Sequence, residues 1–186
     1  MIENTEMTSY TKGSKFFHWF IAIIIIFMLP ISFFLSDVPE QYIGMAFTVH
    51  KSLGITVLFA MLLRVLWIIR YGRPALPVHM PKWEKILAHT VQGSLYLFVI
   101  LMPLCGWIMA TAEGYIPSYF GLFSLPFPGI PLDKELASFM NQAHTIIAWI
   151  ILGLLVLHVA GALKHHFIDK DDVLRRMLPK CPSKSK

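Results

Sequence analysis

Four stretches of this chain lack the alternation of apolar and polar positions that marks a surface helix or a half-buried strand. Residues 16–36, 86–112 and 136–163 contain no Asp, Glu, Lys or Arg. A fourth stretch, about 45–69, carries Lys51 near one end and Arg64 near the other. Each reaches the roughly 20 residues a helix needs to cross the hydrocarbon layer. Lys51 and Arg64 can extend toward headgroups along their apolar stems, so the fourth stretch is also predicted to span. The expected fold is all-α: an integral membrane four-helix bundle with antiparallel helices joined by short connections. Residues 1–186 then form a single membrane domain that ends in a basic tail, 164–186.

Composition agrees with the pattern. Of 186 residues, 56% are hydrophobic and only 15% charged, with a mean hydropathy of +0.62. A soluble domain carries about 25% charged residues. These values exclude a disordered chain, a disulfide scaffold and a conventional soluble enzyme. Cys105 and Cys181 fall at different depths, and there is no Cys-x-x-Cys-His for covalent haem attachment. The first span is predicted to be retained, because no small-x-small cleavage site follows Phe33–Phe34–Leu35.

The net charge of +5 comes from an uneven distribution of basic residues. Lys12 and Lys15 precede the first span. Arg64, Arg70, Arg73, Lys82 and Lys85 surround the second connection, and Lys164, Lys170, Arg175, Arg176, Lys180, Lys184 and Lys186 follow the fourth span. Only Lys51 and Lys134 lie on the other side. The positive-inside rule places both termini in the cytoplasm. The same asymmetry accounts for the basic charge without a nucleic-acid partner.

Histidine is the costly residue here, since an imidazole in lipid needs a partner. Sorted by depth, four of the eight histidines form two levels. His18 and His158 belong near the cytoplasmic face, and His50 and His144 near the opposite one. His144 and His158 are 14 residues apart, about 21 Å of helical rise. That separation returns the side chain to within about 40° of its starting direction, so both imidazoles share one face. One helix presenting an imidazole near each surface suits two haems stacked across a bilayer. Arg64 follows His50 by the same interval, and the propionates of an inner haem would supply its counter-charge. Gly54 and Gly161 remove side-chain bulk beside His50 and His158, although small residues also serve helix packing in membranes.

Spacing leaves one choice open. His89 sits at the same level as His18, and either could oppose His158. His79 reads as solvated, and His165–His166 as a polar cap at headgroup level. No Gly-rich phosphate loop or His-Glu-x-x-His pattern is present. Tetrahedral zinc is disfavoured because the histidines of each level lie on different helices, without a carboxylate or thiolate nearby to share the ion.

The ordered set His18–Trp19, His50 with Gly54 and Arg64, and His144 with His158 resembles the prokaryotic cytochrome b561 family. So does the closing stretch Lys164–His165–His166–Phe167 through Leu174–Arg175–Arg176–Met177–Leu178–Pro179. The similarity covers nearly the whole chain, and lies nearest the branch that contains bacterial superoxide oxidase. It implies a multi-pass protein of the bacterial inner membrane with two non-covalent b-type haems, which passes electrons to membrane ubiquinone. It implies His18, rather than His89, as the ligand opposite His158. It also implies that His165 hydrogen-bonds quinone. The outer loop, Glu113 to Glu135, departs from the family in its aromatic and proline content (Tyr115, Pro117, Tyr119, Phe120, Phe123, Pro126, Phe127, Pro128 and Pro131).

The expected activity is therefore transmembrane electron transfer from a periplasmic donor, a small molecule such as superoxide or a protein, to quinone in the lipid. His165 or His166 could deliver the protons that quinone reduction consumes. Lys51, beside His50, is the candidate for focusing an anionic donor, and faces Asp37, Glu40, Glu113, Asp133 and Glu135. The alternative is a haem-bearing anchor subunit that relays electrons between a docked redox protein and the quinone pool. A silent membrane scaffold is a third reading, which the paired histidines oppose.

Overall fold

The computed structural model describes residues 9–179; Lys180, Cys181, Lys184 and Lys186 lie outside the described residues. Four helices dominate: α1 (Lys12–Ser32), α2 (Glu40–Tyr71), α3 (Lys82–Ala112) and α4 (Lys134–Phe167). All four are long and apolar enough to cross a membrane. Three of them overrun the charge-free stretches, because a helix continues through its charged residues once it reaches headgroup depth. α4 in particular runs to Phe167, so the tail leaves the helix after the two histidines at 165 and 166.

Local chemistry sets the ends. Thr11 caps α1, its hydroxyl accepting the Ser14 N–H at 3.3 Å, and the same oxygen accepts the Trp67 indole N–H at 2.9 Å. α1 closes at Ser32, sooner than its apolar run. Pro30 has no N–H to give to the last turn, and the chain leaves through a 3-10 turn at Leu35–Asp37. α2 ends at Gly72, whose φ of 75° suits a residue without Cβ. Asp133 caps α4 by accepting the N–H groups of Glu135 and Leu136.

α1 packs on α2, α2 on α3, and α3 most closely on α4. α4 approaches the backbones of α1 and α2 much less closely. The buried centre comprises Ile21, Ile25 and Leu29 of α1, Val57, Ala60 and Met61 of α2, Val99 and Met102 of α3, and Ile147, Ala148 and Ile151 of α4. The outer faces are equally apolar: Ile69 is 75% exposed and Phe27 65%. A surface of this kind is at ease in hydrocarbon and not in water.

Residues 9 and 179, the first and last described, lie at one end of the bundle, here called the terminal end. The other is the loop end. Residues 175–178 fold back across the terminal end: Trp19 Nε1 donates to the Met177 carbonyl at 2.9 Å and Lys15 Nζ to that of Leu178 at 3.0 Å. Arg176 reaches the Ala75 carbonyl at 2.8 Å, tying the same segment to the connection between α2 and α3.

At the loop end a small hairpin, β1 (Ser118–Tyr119) and β2 (Phe123–Ser124), pairs antiparallel with Ser118 opposite Ser124. Its turn uses Phe120 and Gly121, both at positive φ. Ser52 and Thr56 of α2 hold one side and Trp107 and Thr111 of α3 the other.

Candidate functional site

The structure brings the four candidate histidines together as two pairs. At the loop end, His50 of α2 faces His144 of α4 with 6.2 Å between ring centres. At the terminal end, His18 of α1 faces His158 of α4, also at 6.2 Å. All four side chains point into the region where α4 stands away from α1 and α2. The repeat of 14 residues on α4 thus places two imidazoles on one face, each met by a different helix.

The spacing has chemical meaning. A metal–imidazole bond is about 2 Å and the ring nitrogen about 1 Å from the ring centre, so two imidazoles on opposite sides of one metal have centres about 6 Å apart. Each pair would therefore be spaced to hold one metal ion, such as haem iron, between its two imidazoles. An apolar cleft adjoins the loop-end pair, lined by Met28, Gly54, Val57, Val99, Pro103 and Ile151 among others. Gly54 lines the same cleft as His50 and His144. Among the described residues, nothing beyond its own stretch of helix lies within 4 Å of where a Gly161 Cβ would stand.

His89 is exposed on α3, and its Nδ1 bonds the Lys85 carbonyl of its own helix at 2.8 Å. His18, and not His89, is the residue that faces His158. The reason is rotational: depth along a helix is legible in sequence, but the side a residue faces depends on how the helix is turned by its neighbours.

Arg64 lies at the terminal end, where its guanidinium stacks over the Tyr96 ring at 5.1 Å. Its Nε is buried and has no hydrogen-bond partner among the described residues. A half-buried cation with an unpartnered Nε beside an imidazole pair suits an anionic group such as a carboxylate.

His165 and Lys164 form a polar cluster at the same end. His165 Nδ1 lies 2.7 Å from Asp171 and 3.0 Å from Asp169. Lys164 bridges Glu84 at 2.7 Å and Asp169 at 2.9 Å. Because the ammonium of Lys164 already occupies the space between those carboxylates, the cluster is ionic rather than metal-binding. His165 follows His158 by two turns on the same face, about 10 Å along the axis. The Nδ1 of its neighbour His166 is buried without a partner among the described residues.

At the loop end, Lys51 is half-buried and its Nζ reaches the Tyr115 carbonyl at 3.5 Å. The hairpin sits on the Ser52–Thr56 side of α2, away from His50, rather than directly over the pair. Helical geometry explains this, because residues two positions apart point about 160° from each other.

Two further groups escaped the sequence reading. His144 Nδ1 donates to the Met102 carbonyl at 2.9 Å, and Gly106 leaves room for that ring. A glycine four residues after Met102 in an apolar helix was the available signal.

Known proteins resemble this chain over most of its length. Residues 9–180 match the family model for prokaryotic cytochrome b561. Cytochrome b561 homolog 2 of Escherichia coli (strain K12) is 35% identical over 94% of this chain and 93% of its own length. Cytochrome b561 homolog 1 of the same organism is 29% identical over 94% of the chain and 99% of its own length. A probable superoxide oxidase, CybB of Yersinia pestis, is 29% identical over 88% of the chain and 92% of its own length. The chain belongs to the prokaryotic cytochrome b561 family, whose members bind b-type haem and transfer electrons across the membrane.

Proposed function

We propose that this cytochrome b561 family member holds one haem between His18 and His158 and a second between His50 and His144. It carries electrons from a periplasmic donor, superoxide, to ubiquinone in the bilayer. The observation that carries the reading is the two imidazole pairs, each 6.2 Å between ring centres and each near a different end of the bundle. When bound, the haems supply one-electron relays, and two imidazoles on each iron leave no position for oxygen to bind.

The residues of the chain orient and insulate that relay. His144 keeps its Nδ1 proton on the Met102 carbonyl, so its Nε2 lone pair is the one presented to a metal. Arg64 offers a positive charge to a carboxylate at the terminal end. The basic residues gathered at that end make it the cytoplasmic face by the positive-inside rule. The loop end then faces the periplasm of an inner-membrane protein.

Each superoxide gives up one electron and leaves as dioxygen, so two are consumed per quinone reduced. Lys51, beside His50, draws the anion toward the loop end. The quinone gains two electrons and two protons. His165 stands at the end where those protons enter, with Nδ1 held by Asp171 and Asp169 and its other nitrogen without a partner among the described residues. The relative named as a probable superoxide oxidase supports this choice of donor.

The hairpin favours a second reading. Tyr115, Leu122 and Phe123 are more than half exposed on a segment that side-chain hydrogen bonds hold in place. Such a surface would dock a redox protein if the chain served as a haem-bearing anchor.

Two measurements separate these readings. Purified protein should contain two haems per chain by pyridine haemochrome, with one lost in His50→Ala or His144→Ala and the other in His18→Ala or His158→Ala. A colourless protein would end the haem reading. Rapid quinone reduction by superoxide with the chain alone supports the oxidase, whereas activity only with an added protein donor supports the anchor.

A further inference from the structure

One of the four imidazoles is held differently from the rest. His144 Nδ1 lies 2.9 Å from the Met102 carbonyl of α3. The rings of His18, His50 and His158 have no hydrogen-bond partner among the described residues. The contact depends on a missing side chain: a Cβ on Gly106 would stand 3.1 Å from both Cε1 and Nδ1 of His144. Helix geometry explains why the glycine falls there. The residue four positions on stands directly beyond the carbonyl of residue 102, so a side chain at 106 would obstruct any second donor approaching that oxygen. A carbonyl oxygen has two lone pairs, one for its own helix and one for His144.

We propose that Met102 and Gly106 form a positioning device for the loop-end haem. The Met102 carbonyl fixes the His144 tautomer and makes its Nε2 a stronger donor, and the Gly106 notch is what lets the ring reach that carbonyl. A ligand nitrogen becomes more basic when its partner N–H is hydrogen-bonded. A stronger donor favours ferric over ferrous iron, so the anchor lowers the reduction potential of the loop-end haem. The other three ligands lack this influence. The device therefore makes the loop-end site the better reductant and biases electron flow toward the terminal end. The inference rests on His144 being a haem ligand, and the test separates the two claims.

The test compares Gly106→Ala with Gly93→Ala in the purified holoprotein. Gly93 lies on the same helix with nothing within 4 Å of an added Cβ. Potentiometric titration followed optically should show one of two haems moving to higher potential in Gly106→Ala, the other unmoved, and neither moving in Gly93→Ala. Selective loss of one haem in Gly106→Ala also supports the notch. Two unshifted haems would overturn the positioning claim, while His144→Ala, read by haem content, tests ligation separately. A second measurement needs no variant. In the reduced, diamagnetic wild-type protein labelled with 15N-histidine, one axial imidazole should carry a slowly exchanging Nδ1 proton. Four equally fast-exchanging ligand protons would refute the anchor.

Discussion

Ser52→Ala should release the hairpin from α2. Ser52 is fully buried, at 0% exposure. Its hydroxyl accepts the Phe120 N–H at 2.8 Å, and lies 2.6 Å from the Thr48 carbonyl and 3.2 Å from that of Ser118. A hydroxyl has one proton, so it serves those two carbonyls alternately, while its acceptor role toward Phe120 is unshared. Phe120 is also the turn residue at a φ of 48°, a conformation that costs a non-glycine residue energy. Alanine removes the acceptor that holds this turn. Leaving one such donor unsatisfied costs about 1–3 kcal/mol, or about 5- to 150-fold in the opening equilibrium of the hairpin. Amide hydrogen exchange in detergent, read by mass spectrometry on peptides covering 115–125, measures that equilibrium directly. Protection should fall there by that factor and stay unchanged in α3. Thr48→Ala is the control, since its hydroxyl bonds only its own helix at an exposed position. Unchanged hairpin protection in Ser52→Ala, or an equal loss in Thr48→Ala, would refute the reasoning.

Other perturbations test other parts of the bundle. A Cβ on Gly13 would collide with the Trp67 indole. Gly13→Ala should therefore lose about 1–3 kcal/mol to overpacking, seen as a lower unfolding temperature in detergent, whereas Gly44→Ala, with nothing within 4 Å, should be neutral or stabilising. Arg64→Gln removes the cation at the terminal end while keeping a similar length. One haem should then become harder to reduce, and unshifted potentials would disconnect Arg64 from that site. Asp171→Asn takes a charged acceptor from His165; a charged hydrogen bond is worth about 1.5 kcal/mol or more, so quinone reduction should slow roughly tenfold or more. Haem content should match that of the unaltered protein, and an unchanged rate would remove His165 from proton delivery.

Much of the architecture is legible in the sequence. Lipid imposes one demand, that every backbone polar group be satisfied internally, and long charge-free runs have few ways to meet it. Depth was legible for the same reason, since 1.5 Å per residue converts position into height. His144 and His158 could be assigned to one face because both lie on one helix and share its phase.

Relations between helices were not legible. Whether His18 or His89 meets His158 depends on how α1 and α3 are rotated, and that is decided by packing among Ile21, Ile25, Val99 and Ile151. The hairpin illustrates the same limit. The sequence shows a loop rich in aromatic residues and proline, but not that Ser52 and Thr56 would draw it to the side of α2 away from His50.

The sequence by itself therefore determined the solvent, the number of helices, and the height of each histidine. These follow from hydrophobicity and from a rise per residue that does not vary with context. Only the tertiary structure decided which histidines face each other, that residues 175–178 close over the terminal end, and that Gly106 opens a path to the Met102 carbonyl. Those outcomes depend on the rotation of one helix against another, which is set by side-chain volumes far apart in the chain and acting together.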